Sequence, residues 1–540
     1  MSTDTDSQNQ LVKRGNSTLD QAAIVLSGGS LLAVVAGLLA IFQVLRMQSV
    51  YAGLPLYQWI GGLLTAVGLG LFVVGGFSRA GMLRSEPDRT AGLVPTVTFG
   101  LVGFVVGGLL AAQTLGLSTL WPLGGLVVAL GAAAVTVYPR GDLGTTLPAG
   151  ALTLLTGLVV VTGVIAPGWA WTPIQTSATF RGDIVVAVLA IVVGFLTAWM
   201  AARAYSGFGT RGKEAGAYLL ISASAAAMLA LLLVLVGYVV SKGWGPATKG
   251  IQWGLFWANW TYFYVPPIDR YLIIDGPVLW FHWPFVMNGY ALMNDVNGIM
   301  PAIVGTVWLV VGAILFAVPL GVGAAVFLTE YAEQSRFTQL VEVSTNGLWS
   351  TPSIVYGLFG WAFLVPRLGN SQSILAGQLV LGFMLLPLVI ITSREALKSV
   401  PDAYRDASAA LGVGQWETIK SVVLPAAMPG VITGIILGVG RIAGETAPIL
   451  LVSAGAPFPR DAPNVLASFQ FTTSPPFVTN DALLQATSAL PYQLYAIITA
   501  GVGENIGFAW GTAFVLLLVV LSFYAIGIVS RIYFRKKLEA

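Results

Sequence analysis

Long apolar runs separated by short polar breaks dominate this chain, and the runs have the length that crosses a bilayer. The first twenty residues (MSTDTDSQNQLVKRGNSTLD) are polar. Beyond them the pattern predicts twelve helices, near 22–45, 57–78, 91–113, 119–138, 146–167, 183–204, 216–240, 301–328, 345–366, 373–393, 426–452 and 508–531. Each is close to the ~20 apolar residues needed to span a hydrocarbon core. The first run is too long for the apolar part of a secretory signal, so it reads as a retained span. Short links join the first six spans. A basic, Gly-containing stretch, Tyr205–Ala215, then sets a boundary near residue 206. Two long links follow, 241–300 and 453–507; the first is rich in Trp, Tyr, Phe and Pro and predicts a cap at the membrane interface, where such side chains gather. The lesser alternative is that it helps receive an external binding protein.

Composition removes most alternatives. Hydrophobic residues make up 56% and charged residues only 9%, against about a quarter charged in a soluble domain. The 64 glycines suit helices that pack closely in lipid. With no cysteine, disulfides and thiolate chemistry are excluded. The single histidine, His282, leaves no His cluster for a metal and reads as a packed or interfacial side chain. If the N-terminus is cytoplasmic, the cytoplasmic segments, from Lys13 and Arg14 through Arg84 to Lys537, hold 18 of the 26 Lys and Arg, and the outer ones seven. That bias obeys the positive-inside rule and predicts two cytoplasmic termini.

The cytoplasmic link between the tenth and eleventh spans, about 394–425, has a helix with defined ends. Pro401 suits a first turn and Asp402 complements the positive end of the helix dipole. Ala403, Ala407 and Ala410 give a small-residue face, and Gly412 and Gly414 end the helix and turn the chain. A second short helix with Trp416 and Ile419 leads to Leu424-Pro425 and back to the membrane. The bland alternative is an amphipathic helix lying on the membrane surface.

This link resembles the EAA loop of ABC importer permeases, whose pattern is E-A-A, three residues, G, nine residues, I-x-L-P. Asp406, Ala407, Ser408, Gly412, Val422, Leu424 and Pro425 match it, with Asp for Glu, Ser for Ala and Val for Ile as departures. Pro301–Tyr331, Thr351–Gly360 and above all Gly440-Arg-Ile-Ala-Gly-Glu-Thr-Ala-Pro448 are similar to segments of the PstA-type phosphate permeases, the last to their R-x-x-G-E-T-A-P run. The resemblance covers 216–537. It implies an all-α polytopic membrane protein of about twelve spans, in which 206–540 is a type I importer core and 1–205 an accessory six-span region. It further implies a plasma-membrane subunit that is not an enzyme and holds no cofactor, ATP being bound by a partner. The implied partners are a second permease (PstC-type), a homodimeric cytoplasmic ATPase (PstB-type) and an extracellular phosphate-binding protein, with lipid around the spans and no nucleic acid.

Arg441 falls within the eleventh predicted span, where a charge must be paired or face water. Glu445, four residues on, shares its helix face. Thr446 adds a hydroxyl and Pro448 loosens the backbone. On this reading Arg441 meets phosphate oxygens, as guanidinium geometry permits, and Glu445 competes with the anion for it. A buried ion pair that only fixes packing is the alternative. Gly434/Gly438 and Gly440/Gly444 are expected to allow close helix contact. The same architecture could carry sulfate, molybdate or phosphonate. A secondary transporter driven by an ion gradient would need coupling carboxylates, for which Glu445 and Glu330 are the candidates.

Two motifs are set aside. Gly207-Phe-Gly-Thr-Arg-Gly-Lys213 matches most of a phosphate-binding P-loop but has Glu214 where Ser or Thr belongs and follows a membrane span, not a strand. Asn259-Trp-Thr261 is a glycosylation sequon, too short a pattern to carry a reading. The first six spans show almost no polar group and hence no pathway.

Overall fold

Most of the predicted runs become helices at their expected places. The computed structural model describes residues 18–539 apart from 84, 114, 118, 174–176, 266–269, 291–295, 334, 476 and 501–505; Lys13, Arg14 and Arg84 therefore lie outside the described residues. In chain order the helices are α1 Thr18–Ile41, α2 Leu56–Arg79, α3 Leu93–Gln113, α4 Trp121–Val137, α5 Gly141–Val161, α6 Gly182–Ala204 and α7 Thr210–Thr248. After them come α8 Pro284–Met287, α9 Met300–Val326, α10 Arg336–Ser350, α11 Ser353–Phe359, α12 Ile374–Lys398 and α13 Asp402–Ala410. The last five are α14 Gln415–Thr418, α15 Leu424–Ala443, α16 Ala447–Val452, α17 Leu490–Ala500 and α18 Ile506–Glu539. Hairpins of two-residue strands close two links: β1 Val50–Tyr51 with β2 Leu54–Pro55, and β3 Ala170–Trp171 with β4 Phe180–Arg181.

Among the described residues ten helices are long and apolar enough to cross a membrane, eleven if one bent pair counts as a span. Three of the twelve expected spans therefore need correction. The fourth, α4, has only 17 residues. The ninth is the bent pair α10 and α11, which turns by 101° at Thr351-Pro352. Pro352 forces the residue before it out of the helical region, and Thr351 is extended at φ −68°, ψ 131°. The eleventh stops at Ala443.

The chain falls into two compact units, Met1–Tyr238 and Val239–Ala540, the division lying inside α7. In the first unit α2 lies along α5. Gly61, Gly68 and Gly75 repeat every seven residues, and at each a Cβ would come within 2.6 Å of α5: Val161 N at 2.6 Å, Leu154 N at 2.6 Å and Thr146 Oγ1 at 2.1 Å. That stripe is the close-approach surface of the pair. Polar groups are also present inside these spans, against expectation. Asp142, at the start of α5, is fully buried. It is paired with Arg140 and accepts a 2.9 Å bond from Ser78 Oγ. Thr153 and Thr197 hydroxyls meet at 2.5 Å, and each also returns a bond to the carbonyl four residues earlier.

In the second unit α9, α12 and α15 share a core built on Leu309, Leu381, Leu385 and Val439. The outer link predicted as an interface cap instead holds a long antiparallel hairpin, β5 Gln252–Val265 with β6 Arg270–His282, so the chain is not all helical there. Its strands are dense in aromatic and β-branched residues, which fit a pleated ribbon. The side chain of Asn259 lies outside the described residues. The second long link folds back on the core: β7 Phe469–Phe471 pairs with β8 Val478–Asn480, and α17 docks where Leu490 N donates to Thr306 Oγ1 of α9 at 2.9 Å.

Candidate functional site

Every expected loop residue has a defined place in a two-helix turn. Pro401 caps α13 and Asp402 opens its first turn. Asp406, Ala407, Ala403 and Ala410 are exposed, so the small-residue face is open, while Ser408 is buried on the opposite face. Gly412 takes φ +74°, the left-handed geometry that a residue with a Cβ adopts at a cost of about 1–2 kcal/mol. Gly414 then caps α14, a π turn at Ile419–Val423 follows, and the half-buried Leu424 and Pro425 start α15. Tyr404 (52% exposed), Leu411 (82%) and Trp416 (60%) stand out from this loop into solvent.

One contact was not foreseen. The Arg405 guanidinium grips both carboxylate oxygens of Glu330, Nη2 to Oε1 at 2.7 Å and Nε to Oε2 at 3.2 Å. It also donates to Asp402 and to the carbonyls of Val400 and Leu397. The hydrogen bond it donates to Glu330 raises the pKa of the Arg405 guanidinium above its ordinary value, against a smaller opposing effect of burial. Gln415 Nε2 adds a 2.7 Å bond to the Glu330 carbonyl. Glu330 lies in the π turn Phe327–Tyr331 that extends α9, and its side chain is only 8% exposed. Two halves of the loop are thereby bolted to the end of α9. The signal in the sequence was an acid at the end of one span and a base in the loop on the same side.

Arg441 is placed differently from expectation. It occupies the last turn of α15, not the middle of a span, and its side chain is 38% exposed. In a continuous helix the Pro448 ring would clash with the Gly444 carbonyl and would lack the N–H to bond it. The helix therefore breaks over Gly444–Thr446 and restarts as α16. Glu445 stands across this break with Oε1 3.8 Å from Arg441 Nε, a long ion pair. The guanidinium also lies over the Trp349 ring of α10, 4.3 Å from its centroid, a cation–π contact that the sequence did not reveal. Thr446 caps α16, its carbonyl accepting from Leu450 N at 3.0 Å. Gly434 and Gly438 meet Thr392 and Leu385 of α12 as expected, and Gly440 meets Tyr524 of α18. Gly444 meets no neighbouring helix, since it belongs to the break.

A cleft of about 490 Å³ lies beside the α10–α11 elbow, lined by Leu348, Tyr356, Phe359, Phe383 and Pro387. It is mostly apolar and Arg441 does not line it. Among the described residues no group of three or more His, Asp or Glu is gathered as a metal site.

Residues 317–531 match the family described as binding-protein-dependent transport system inner membrane component, a span that contains both the loop and the helix break. The chain is 33% identical over 256 residues to a probable ABC transporter permease protein, YqgI, of Bacillus subtilis, covering 47% of this chain and 84% of that one. It is 32% identical over 262 residues to the phosphate transport system permease protein PstA 1 of Mycobacterium tuberculosis, covering 45% of this chain and 79% of the relative. Among solved structures, the inward-facing MetNI methionine ABC transporter overlays 44% of this chain and 93% of its own, at 16% identity and a TM-score of 0.33.

Proposed function

The chain belongs to the binding-protein-dependent transport permeases, in the branch of the PstA-type phosphate permeases, and from that premise we propose that it is the membrane subunit through which an ATP-driven importer admits phosphate. The observation that carries the mechanism is the fork of Arg405 on Glu330. A loop whose exposed face offers Asp406, Ala407 and the turn at Gly412 is the docking surface for a separate ATPase. Closure of that ATPase on ATP displaces α13. Arg405 passes the displacement to α9, and the π turn before Leu424-Pro425 passes it to α15. Arg441 rides on the far end of α15, so the same movement shifts its guanidinium against Trp349 and Glu445. A phosphate oxygen arriving there competes with Glu445 for Arg441, and Thr446 supplies a hydroxyl beside them.

The chain itself catalyses no reaction and holds no cofactor; ATP is bound and hydrolysed on a homodimeric partner of PstB type. A second permease of PstC type completes the pathway and an extracellular phosphate-binding protein delivers the anion. Both termini are cytoplasmic in the plasma membrane, and residues 1–205 are accessory to the core of 206–540.

The test is phosphate uptake, with partner subunits supplied, in cells that lack their own high-affinity system. Uptake by the wild type, lost in Arg441→Ala and in Gly412→Trp while both proteins stay in the membrane, supports the reading. ATPase stimulation by sulfate or molybdate in place of phosphate would keep the architecture and remove phosphate as the cargo.

A further inference from the structure

The P-loop-like stretch that the transport reading leaves unused lies, within the first unit, beside a pocket with a charge pattern of its own. Gly207 (φ +90°) and Phe208 (φ +67°) turn the chain between α6 and α7, and Gly207 O accepts from Glu86 N at 2.9 Å. A Cβ on Gly209 would sit 2.8 Å from the Glu86 carbonyl, and one on Gly212 2.3 Å from the Arg203 carbonyl. Gly207 and Gly209 therefore let the segment at Ser85 and Glu86 cross the turn, and Gly212 lets α7 start close against the end of α6; they do not cradle a nucleotide. The crossing leaves a cavity of about 380 Å³. Arg203 lines it, 5% exposed, with Nη2 donating to Ala91 O at 2.7 Å. Lys213 lines its mouth and reaches Asp88 Oδ2 at 2.5 Å. Two cations thus face one carboxylate.

The rest of the pocket fits a lipid. Its floor includes Trp199 and Leu220, and its rim includes Leu93 and Val94, which are 78% and 63% exposed at the start of the membrane-length helix α3. At the start of α3 the N–H groups of Leu93 and Val94 have no partner within the helix and bear the positive end of its dipole; Pro95 has no N–H, and Thr96 N donates to the Gly92 carbonyl at 3.4 Å. An anion held by Arg203 there would have apolar surface running away from it along α3. A soluble phosphate has no use for that surface, whereas acyl chains do.

We infer that this pocket binds a phosphate group, and that the group is the headgroup of an anionic glycerophospholipid in the leaflet at that end of the spans. Arg203 and the start of α3 take the phosphate, Lys213 exchanges between Asp88 and the headgroup, and Leu93 and Val94 contact the chains.

The experiment measures thermal unfolding of the purified full chain in detergent, with added phosphatidylglycerol, phosphatidylcholine or inorganic phosphate. Wild type is stabilised saturably by phosphatidylglycerol and much less by phosphatidylcholine. Arg203→Met keeps the buried stem and removes the charge. Ala217→Trp, at an exposed lining residue, fills the cavity and leaves both cations in place. Each is expected to weaken phosphatidylglycerol binding roughly ten-fold, the scale of one charged hydrogen-bonding contact. If Arg203→Met does not fold, Ala217→Trp decides. Equal stabilisation by both lipids, or variants that fold and keep the wild-type preference, would overturn the inference. Saturable binding of inorganic phosphate that the variants abolish, without a lipid effect, would overturn the lipid as the source of the phosphate group.

Discussion

The two units differ in what their ion pairs join. In Met1–Tyr238 the buried charge of Asp142 is answered by Arg140 two residues away and the threonine hydroxyls return to carbonyls one turn back, while the distant pair Lys213 with Asp88 ties the start of α7 to a link and not to another helix. Val239–Ala540 has local pairs too, such as Arg441 with Glu445, but two of its guanidinium–carboxylate pairs join helices far apart in sequence: Arg405 with Glu330, and Arg394 of α12 with Glu342 of α10. The helices differ in the same sense. Among the described residues the π turns, at Phe327–Tyr331, Gly360–Leu364 and Ile419–Val423, all lie in the second unit, as do the 101° bend and the break after Ala443. Local pairs fix an element in itself, whereas distant pairs make one element follow another. Interrupted helices supply the places where following is possible.

The sharpest way to break this comparison is at Arg405. Arg405→Ala leaves the Glu330 carboxylate buried and unanswered, at a cost of about 3 kcal/mol, the scale for one lost partner of a buried pair. Phosphate uptake is expected to fall by roughly a hundred-fold, and the charge swap Glu330→Arg with Arg405→Glu to recover part of it. Wild-type uptake by Arg405→Ala would show that the loop moves independently of α9. Next in size is Arg441→Lys, which keeps the charge but loses the flat guanidinium over Trp349. A roughly ten-fold drop in uptake with unchanged basal ATPase activity is expected. A Trp349→Leu variant that transports normally would reduce that ring to packing.

Smaller effects sharpen the contrast from the other side. Asp142→Asn should lower the yield of folded protein, because Arg140 then faces a neutral group, yet leave uptake per folded molecule within about two-fold. A large loss of uptake at unchanged yield would give the first unit a part in transport. Thr153→Val is expected to have the least effect, about 0.6 kcal/mol or below in thermal unfolding and none on uptake, as hydroxyl bonds between membrane helices are weak.

What could be read from the sequence follows from these differences. Spans of the first unit were legible because continuous apolar helices need only length and hydropathy, and α2, α3 and α6 fall within a few residues of expectation. The loop was legible because Pro401, Gly412 and Gly414 are local instructions, and the structure obeys each. The bend at Pro352 and the break at Gly444 were missed since both sit in runs apolar enough to pass as one span. The β5–β6 ribbon was not legible because aromatic residues suit a membrane interface as well as a pleated strand. Arg405 with Glu330, and Arg441 with Trp349, are meetings across 75 and 92 positions, which no local pattern encodes.

The bolted loop has a consequence for how the protein meets a partner. Because Arg405 and Gln415 hold it against α9 in this single chain, it needs little further ordering when a partner arrives, and docking forfeits little entropy. The same rigidity keeps Leu411, Trp416 and Tyr404 displayed in water for as long as the chain is alone. Such a display is an adhesive surface. A copy without its partner therefore offers these side chains to whatever else binds exposed apolar surface.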